Sequence, residues 1–144
     1  MSQNTTVHVA IFQAPMAIMN EKNLYWEMMR ETGAFQRPVP ARYYLIAFDG
    51  QINCPLKLPE EQEARAHAIL EHVFYIFNDK HPAGYCGRSL SVGDVVKLED
   101  RYYLCMALGF QEVEFNDADQ TDSVAEKILL RTDSEEQREK MQQV

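Results

Sequence analysis

Alternation of apolar and polar positions marks the first element of the chain. In TVHVAIFQ, Thr6–Gln13, the residues Val7, Val9 and Ile11 fall on one face of an extended segment and His8, Ala10 and Phe12 on the other. This predicts a strand that is apolar on both sides at its end. Ala14-Pro15 then ends regular pairing, because proline brings no N–H to a ladder. A helical period follows. Asn20 is placed as an N-cap for a helix over Glu21–Thr32, with Gly33 as its C′ residue, and Leu24, Tyr25, Met28 and Met29 recur as a core-facing stripe. Met19, just before the cap, is positioned to pack on Leu24 as a staple. The methionines of this stripe read as core filler rather than as an adaptable groove. Trp26 lies off the stripe and is a candidate surface contact.

Phe35–Pro40, FQRPVP, can continue neither a helix nor a central strand. RYYLIAF, Arg42–Phe48, is apolar on both faces and is expected as a central strand, with Asp49-Gly50 as a turn and Ile52 opening a short return strand. The longest helix is predicted over Pro59–Asp79. Pro59 suits the first helical position, Glu60, Glu61 and Glu63 complement the positive end of the dipole, and Ala66, Ile69, Leu70, Val73, Phe74 and Phe77 form a broad apolar face. Proline, glycine and serine punctuate a loop from His81 to Ser91. Val95–Leu98, a tight turn at Glu99-Asp100 and Arg101–Leu108 read as a hairpin. Gly109 breaks it, and Phe110, Val113 and Phe115 supply a last edge strand.

These elements predict an α+β fold: one domain over residues 1–115, with about five strands in an antiparallel or mixed sheet and two packed helices. Residues 116–144 form an acidic linker and a helical or partly disordered tail. In that tail Ser123 and Glu126 make a capping box, and Val124, Ile128 and Leu129 are the apolar positions. Ile128 and Leu129 on an otherwise polar helix form a candidate partner-binding or self-association seam, the alternative being that they pack back on the domain.

Charge sharpens the division. The 144 residues, 46% hydrophobic, suffice for one core, and the net charge is −8. Glu112–Val144 holds ten acids against four bases, so this stretch carries −6 of that charge and the body is nearly neutral. A chain without a basic stripe lacks the electrostatic footprint for phosphate backbones, which disfavours direct nucleic-acid binding. Cys54, Cys86 and Cys105 have no CxxC spacing and fit free thiols in a reducing compartment, with Cys105 inside an apolar strand. No signal-like N-terminus and no membrane-length apolar run is evident, so a soluble, cytoplasmic protein without membrane partners is expected.

Candidate chemistry is sparse, and no catalytic residue, cofactor or metal site is expected. His67 and His72 are five apart, not the four of a zinc-binding pair on one helix face, and Gly84, Gly87 and Gly93 do not make a phosphate-cradling loop. His81, Cys86 and Asp94 can be cast as base, nucleophile and orienter of a small cysteine hydrolase, although three residues of one loop do not define a triad. Arg88 with Ser89 and Ser91 offers an anion site, but Arg88 is better expected to pair with Asp94 or to cap nearby backbone. Asp94 has the position of a turn residue bonding its own backbone at a strand entry. Tyr43, Tyr44, Tyr102 and Tyr103 are expected as cross-strand packing pairs rather than a base-stacking platform.

The run HPAGYCGRSLSVGDVV together with YYLCMALGFQEVEF resembles the YodL-like domain, a small module of conjugative elements, plasmids and phages in Gram-positive gut bacteria that also occurs inside large polyvalent mobile-element proteins. His81, Pro82, Tyr85, Gly87, Ser89, Leu90, Ser91, Val92, Asp94 and Val95 match its pattern, as do Gly109, Phe110, Glu112, Val113 and Phe115. Two positions depart: Cys86 stands where the family usually has Lys or Arg, and Arg88 where it usually has His. A catalytic role for Cys86 therefore gains nothing from the resemblance. The likeness covers most of residues 7–115 and excludes the tail from Asn116. It implies a mobile-element setting and carries no catalytic residues. The leading expectation is a non-enzymatic module that binds a host or element-encoded protein, with Trp26, His81, Tyr85, Arg88, Ser89, Ser91, Asp94, Ile128 and Leu129 as candidate contacts and self-association through the C-terminal helix as a further candidate. The alternatives are an acidic decoy that mimics nucleic acid on a DNA-binding enzyme, and the cysteine hydrolase.

Overall fold

The two-faced pattern of the first strand places it between two cores. Val7, Val9 and Ile11 enter one, and Ala10 and Phe12 the other. This strand, β1 (Thr5–Gln13), also pairs on both edges. The computed structural model describes residues 5–29, 35, 37–55, 57–79, 85, 87–107, 109–121 and 124–142. In it, β2 (Leu45–Cys54) lies antiparallel on one side of β1 and β3 (Val95–Leu98) antiparallel on the other. β4 (Arg101–Cys105) and β5 (Phe110–Val113) extend the sheet to the order β2-β1-β3-β4-β5, with every neighbouring pair antiparallel.

Helices cover both faces. α1 (Met16–Glu21) and α2 (Leu24–Met29) bury Met19, Leu24 and Met28 in the core that contains Phe12, Tyr44, Val95 and Leu104. α3 (Gln62–Asp79) lays Ile69, Leu70, Val73 and Phe77 on the opposite face, where Phe77 meets Phe48 edge-on at 5.0 Å. Each such fully buried side chain is worth about 1.5–3 kcal/mol. The Glu61 carboxylate caps α3, accepting from the Ala64 N–H at 2.8 Å and the Glu63 N–H at 3.1 Å. No helix among the described residues is long and apolar enough to cross a membrane.

Several elements differ from their sequence-based expectation. α3 starts at Gln62 rather than at Pro59, because Glu61 supplies the cap, and β4 ends at Cys105 rather than running to 108. The helix expected over Glu21–Thr32 starts earlier, at Met16, and is split. Asn23 takes a left-handed φ of 60°, its N–H bonds the Asn20 carbonyl, and α2 begins afresh at Leu24; residues 30–34 lie outside the described set. Asp49-Gly50 is not a turn. β2 runs straight through it because β1 offers a partner along its whole length, with Asp49 opposite Ala10 and Gly50 opposite Val9. Arg42 and Tyr43 lie in a 3₁₀ turn, Ala41–Tyr43, so the strand starts at Leu45, and it is an edge strand rather than a central one. The side chain of Ile46 is accordingly exposed.

The proline-rich connection runs along the outer side of β5. The Gln111 side-chain amide bonds the Phe35 backbone in both directions, accepting from its N–H at 2.8 Å and donating to its carbonyl at 2.9 Å. Val39 then donates to the Glu114 carbonyl at 2.9 Å and bridges to Phe115 in parallel. Beyond Phe115 the chain stays attached to the domain. Asp117 accepts from Lys97 Nζ at 3.0 Å and from the Tyr102 hydroxyl at 2.6 Å, and Thr121 N–H donates to the Tyr44 carbonyl at 2.9 Å. α4 (Val124–Gln142) buries Leu130, and Asp133 accepts from the Met16 N–H at 2.8 Å, capping α1, whose own N-cap Pro15 supplies no side-chain bond.

Candidate functional site

β1 ends on a polar residue in an apolar setting. Gln13 is fully buried, and its Nε2 donates to Asp94 Oδ2 at 2.9 Å, the Arg88 carbonyl at 2.9 Å and the Tyr85 hydroxyl at 3.0 Å, its two N–H groups being shared among the three acceptors. The loop entering β3 closes around it. Asp94 is fully buried and accepts from Arg88 Nη2 at 2.9 Å through Oδ1 and from the Ser91 N–H at 2.8 Å through Oδ2. The Tyr85 hydroxyl donates to the Arg88 carbonyl. Gly87 is pressed against Gln13 so closely that a Cβ there would stand 2.0 Å from Gln13 Oε1.

Gly93 is the second fixed point. Its φ of 96° is open to glycine and strained for other residues, and a Cβ would meet Met19 Cε at 2.4 Å. Its carbonyl accepts from the Tyr44 hydroxyl at 2.6 Å, while its N–H and the Asp94 carbonyl pair with the backbone of Cys105 at 2.9 and 2.8 Å. The residue entering β2 and the end of β4 are thereby tied to one turn.

Electrostatics follow from burial. Desolvation pushes the Asp94 carboxyl up to about 6, while Arg88 and the hydrogen bonds from Ser91 and Gln13 pull it down. The Tyr44 and Tyr85 hydroxyls are raised well above the usual phenol range by burial, with the Asp94 charge adding to it. Burial, again with Asp94 nearby, pushes the Cys105 thiol up to about 12, so it stays protonated at neutral pH. The arrangement fastens a loop through Gln13 Nε2, Arg88 Nη2 and both Asp94 oxygens, while Gln13 Oε1 and Arg88 Nε and Nη1 are buried without a hydrogen-bond partner among the described residues.

The candidate contact residues divide accordingly. Arg88 and Asp94 are an internal ion pair, as the favoured reading of Arg88 expected, and are 5% and 0% exposed. Tyr85 turns inward onto Gln13 and Phe77, and Ser89 and Ser91 are half-buried. None of these five presents an open side-chain surface comparable to Trp26, which is 67% exposed with its ring edge against Tyr25, or to Ile128 and Leu129, which are 56% and 36% exposed on α4. His81 and Cys86, with Pro82 and Gly84, lie outside the described residues, as does the Ser123 cap. Tyr44 lies just after the 3₁₀ turn rather than on a strand, and Tyr43 within that turn carries the Arg42 guanidinium over its ring at 4.7 Å. Sequence reading did not single out Gln13, although a glutamine closing an apolar strand is a signal. Asp133 gave none, because its partner is a backbone N–H 117 residues away.

The fold and this network define a small α+β module in which a turn-rich loop is locked onto the end of a central strand. The chain belongs to the YodL-like domain family, whose model matches residues 9–115 and so runs from the middle of β1 to the end of the sheet, including Gln13 and the whole loop. No curated protein and no solved structure matches the chain.

Proposed function

We propose that this protein is a non-enzymatic interaction module of a mobile genetic element that binds a host or element-encoded protein. The observation carrying this reading is the contrast between its polar and apolar side chains. Arg88, Asp94 and Tyr85 of the signature loop bond one another and Gln13, whereas Trp26, Ile128 and Leu129 stand in solvent. Large aromatic and aliphatic side chains exposed on helices are what a partner's apolar surface recognises. The mobile-element setting is supported by family resemblance alone. The decoy reading has less support, since Glu27, Glu112 and Asp117 each sit beside an arginine or lysine on a different segment.

Affinity capture from a bacterial lysate, comparing the wild type with Ile128→Asp/Leu129→Asp and Trp26→Ala, tests the proposal. These exposed positions are changed in preference to deleting residues 116–144, because Asp117, Thr121, Leu130 and Asp133 hold the fold. A protein retained by the wild type and lost from a folded variant is the expected result. Capture of no specific protein by the wild type would overturn it.

A further inference from the structure

We propose that the groove between residues 37–42 and the chain leaving β5 binds an extended, basic segment of the protein partner, with Glu114 and Asp119 receiving its cations and Arg42 holding its backbone carbonyls. This rests on the interaction-module reading and assigns it a site.

The groove has a volume of about 870 Å³ and is open to solvent. That is near the upper end of the roughly 300–1,000 Å³ range of binding pockets. One wall is stiff: Pro38 and Pro40 fix their φ angles, Val39 is bridged to Phe115, and the Tyr43 N–H closes onto the Pro40 carbonyl at 3.1 Å. Apolar contact comes from Val113 and the ring of Tyr102, Phe115 being almost fully buried.

The charges decide the occupant. Arg37 is held by both carboxylate oxygens of Glu27, at 3.0 and 3.1 Å, and is neutralised in place. Glu114 and Asp119 also line the groove, are solvent-exposed, and have no cationic partner among the described residues, Asp119 accepting only from the Asn116 side chain at 3.3 Å. Arg42 sits over the Tyr43 ring, donates to the Tyr43 hydroxyl at 3.1 Å and has no carboxylate partner among the described residues. Pro38 and Pro40 bring no N–H, and the Val39 N–H is already taken by the Glu114 carbonyl. A ligand that complements it supplies N–H groups and positive charge opposite Glu114 and Asp119, acceptors opposite Arg42, and apolar side chains against Val113. An extended peptide does all three, because alternate side chains point to opposite sides while its carbonyls line the edges. A small polyamine meets the carboxylates but leaves Arg42 and the apolar floor uncovered.

The test uses the full chain and a short fluorescein-labelled peptide alternating arginine and valine, with a glutamate–valine peptide as control. Anisotropy should show saturable binding of the arginine peptide, no binding of the control, and a weakening of about tenfold or more in Glu114→Gln/Asp119→Asn, as expected for loss of charge-assisted hydrogen bonds. Backbone amide shifts on titration should centre on Val39, Arg42 and Val113. Both substituted side chains are exposed, and far-UV circular dichroism checks that the variant is folded. No binding of the arginine peptide up to millimolar concentration, undiminished binding by the double variant, or shifts centred elsewhere would overturn the proposal. If the groove fails while partner capture through α4 persists, the interaction reading stands without this site. If the peptide binds but no partner is captured, the reverse holds.

Discussion

Arg88 and Asp94 lie six residues apart in a loop, yet what they hold is β1, through Gln13. Replacing Arg88 by Met would leave Asp94 buried with only Gln13 and Ser91 as donors, and removal of one member of a buried pair typically costs about 3–5 kcal/mol. Urea unfolding should show a loss of that order. The double variant Arg88→Met/Asp94→Asn should lose less than the sum of the single changes, because no uncompensated charge remains. Asp94 also sets a pH dependence. Its folded-state pKa of about 6 lies above the ordinary carboxylate value, so the folded state binds the extra proton. The stability it contributes is therefore complete below about pH 4 and is lost as pH rises through about 6, with a slope of at most ~1.4 kcal/mol per pH unit. Wild type measured against Asp94→Asn at about pH 4.5 and about pH 7.5 should show this loss, and a pH-independent difference would contradict it. Cys54 and Cys105 are buried, with thiols pushed up by burial. Iodoacetamide should label both only after unfolding, as read by peptide mass spectrometry.

Among the elements, local pattern was legible wherever burial follows chain period. β1 showed its two faces, α3 its apolar stripe except at Phe74, which is 43% exposed, and the hairpin its turn at Glu99-Asp100. Asn20 and Asp49-Gly50 misled because each local signal has two outcomes: Asn20, expected as an N-cap, lies inside α1 while the left-handed stop falls at Asn23, and Asp-Gly turns a chain unless a long neighbouring strand keeps pairing with it. The Gln13–Asp94 bond and the Asp133 cap were not legible at all, since they join residues 81 and 117 positions apart. The same elements give two stability predictions. Glu99 holds a φ of 57° in a two-residue hairpin loop between Leu98 and Arg101, so Glu99→Gly should raise stability by about 0.5–1 kcal/mol in thermal unfolding. Asp133→Ala removes the only side-chain cap seen on α1 among the described residues and should cost about 1 kcal/mol, with faster amide hydrogen exchange along α4.

For the whole molecule, sequence similarity and structural attachment have different extents. The family match ends at residue 115, while Asp117, Thr121, Leu130 and Asp133 bind back onto the strands, the Tyr44 backbone and α1. The acidic stretch that looked like an appendage is partly a fastening, and two of its carboxylates have fixed internal partners. What it leaves outside is Ile128 and Leu129, next to a Leu130 that faces in. One helix turn thus both anchors the tail and displays the apolar pair.

The position of β1 between β2 and β3 also orders events during synthesis. Val9 pairs with Gly50 on one side and with Leu98 on the other, so the first strand made waits for a partner 89 residues later. At roughly 5–20 residues per second that interval is about 4–18 s, with one edge of an apolar strand unpaired throughout. Until β3 emerges, Val9, Ile11 and Phe12 offer an open template to other chains, which makes the nascent protein more prone to aggregation than its finished sheet. The lock formed by Gln13 and Asp94 closes at the same moment as that edge, so pairing and loop fastening complete together.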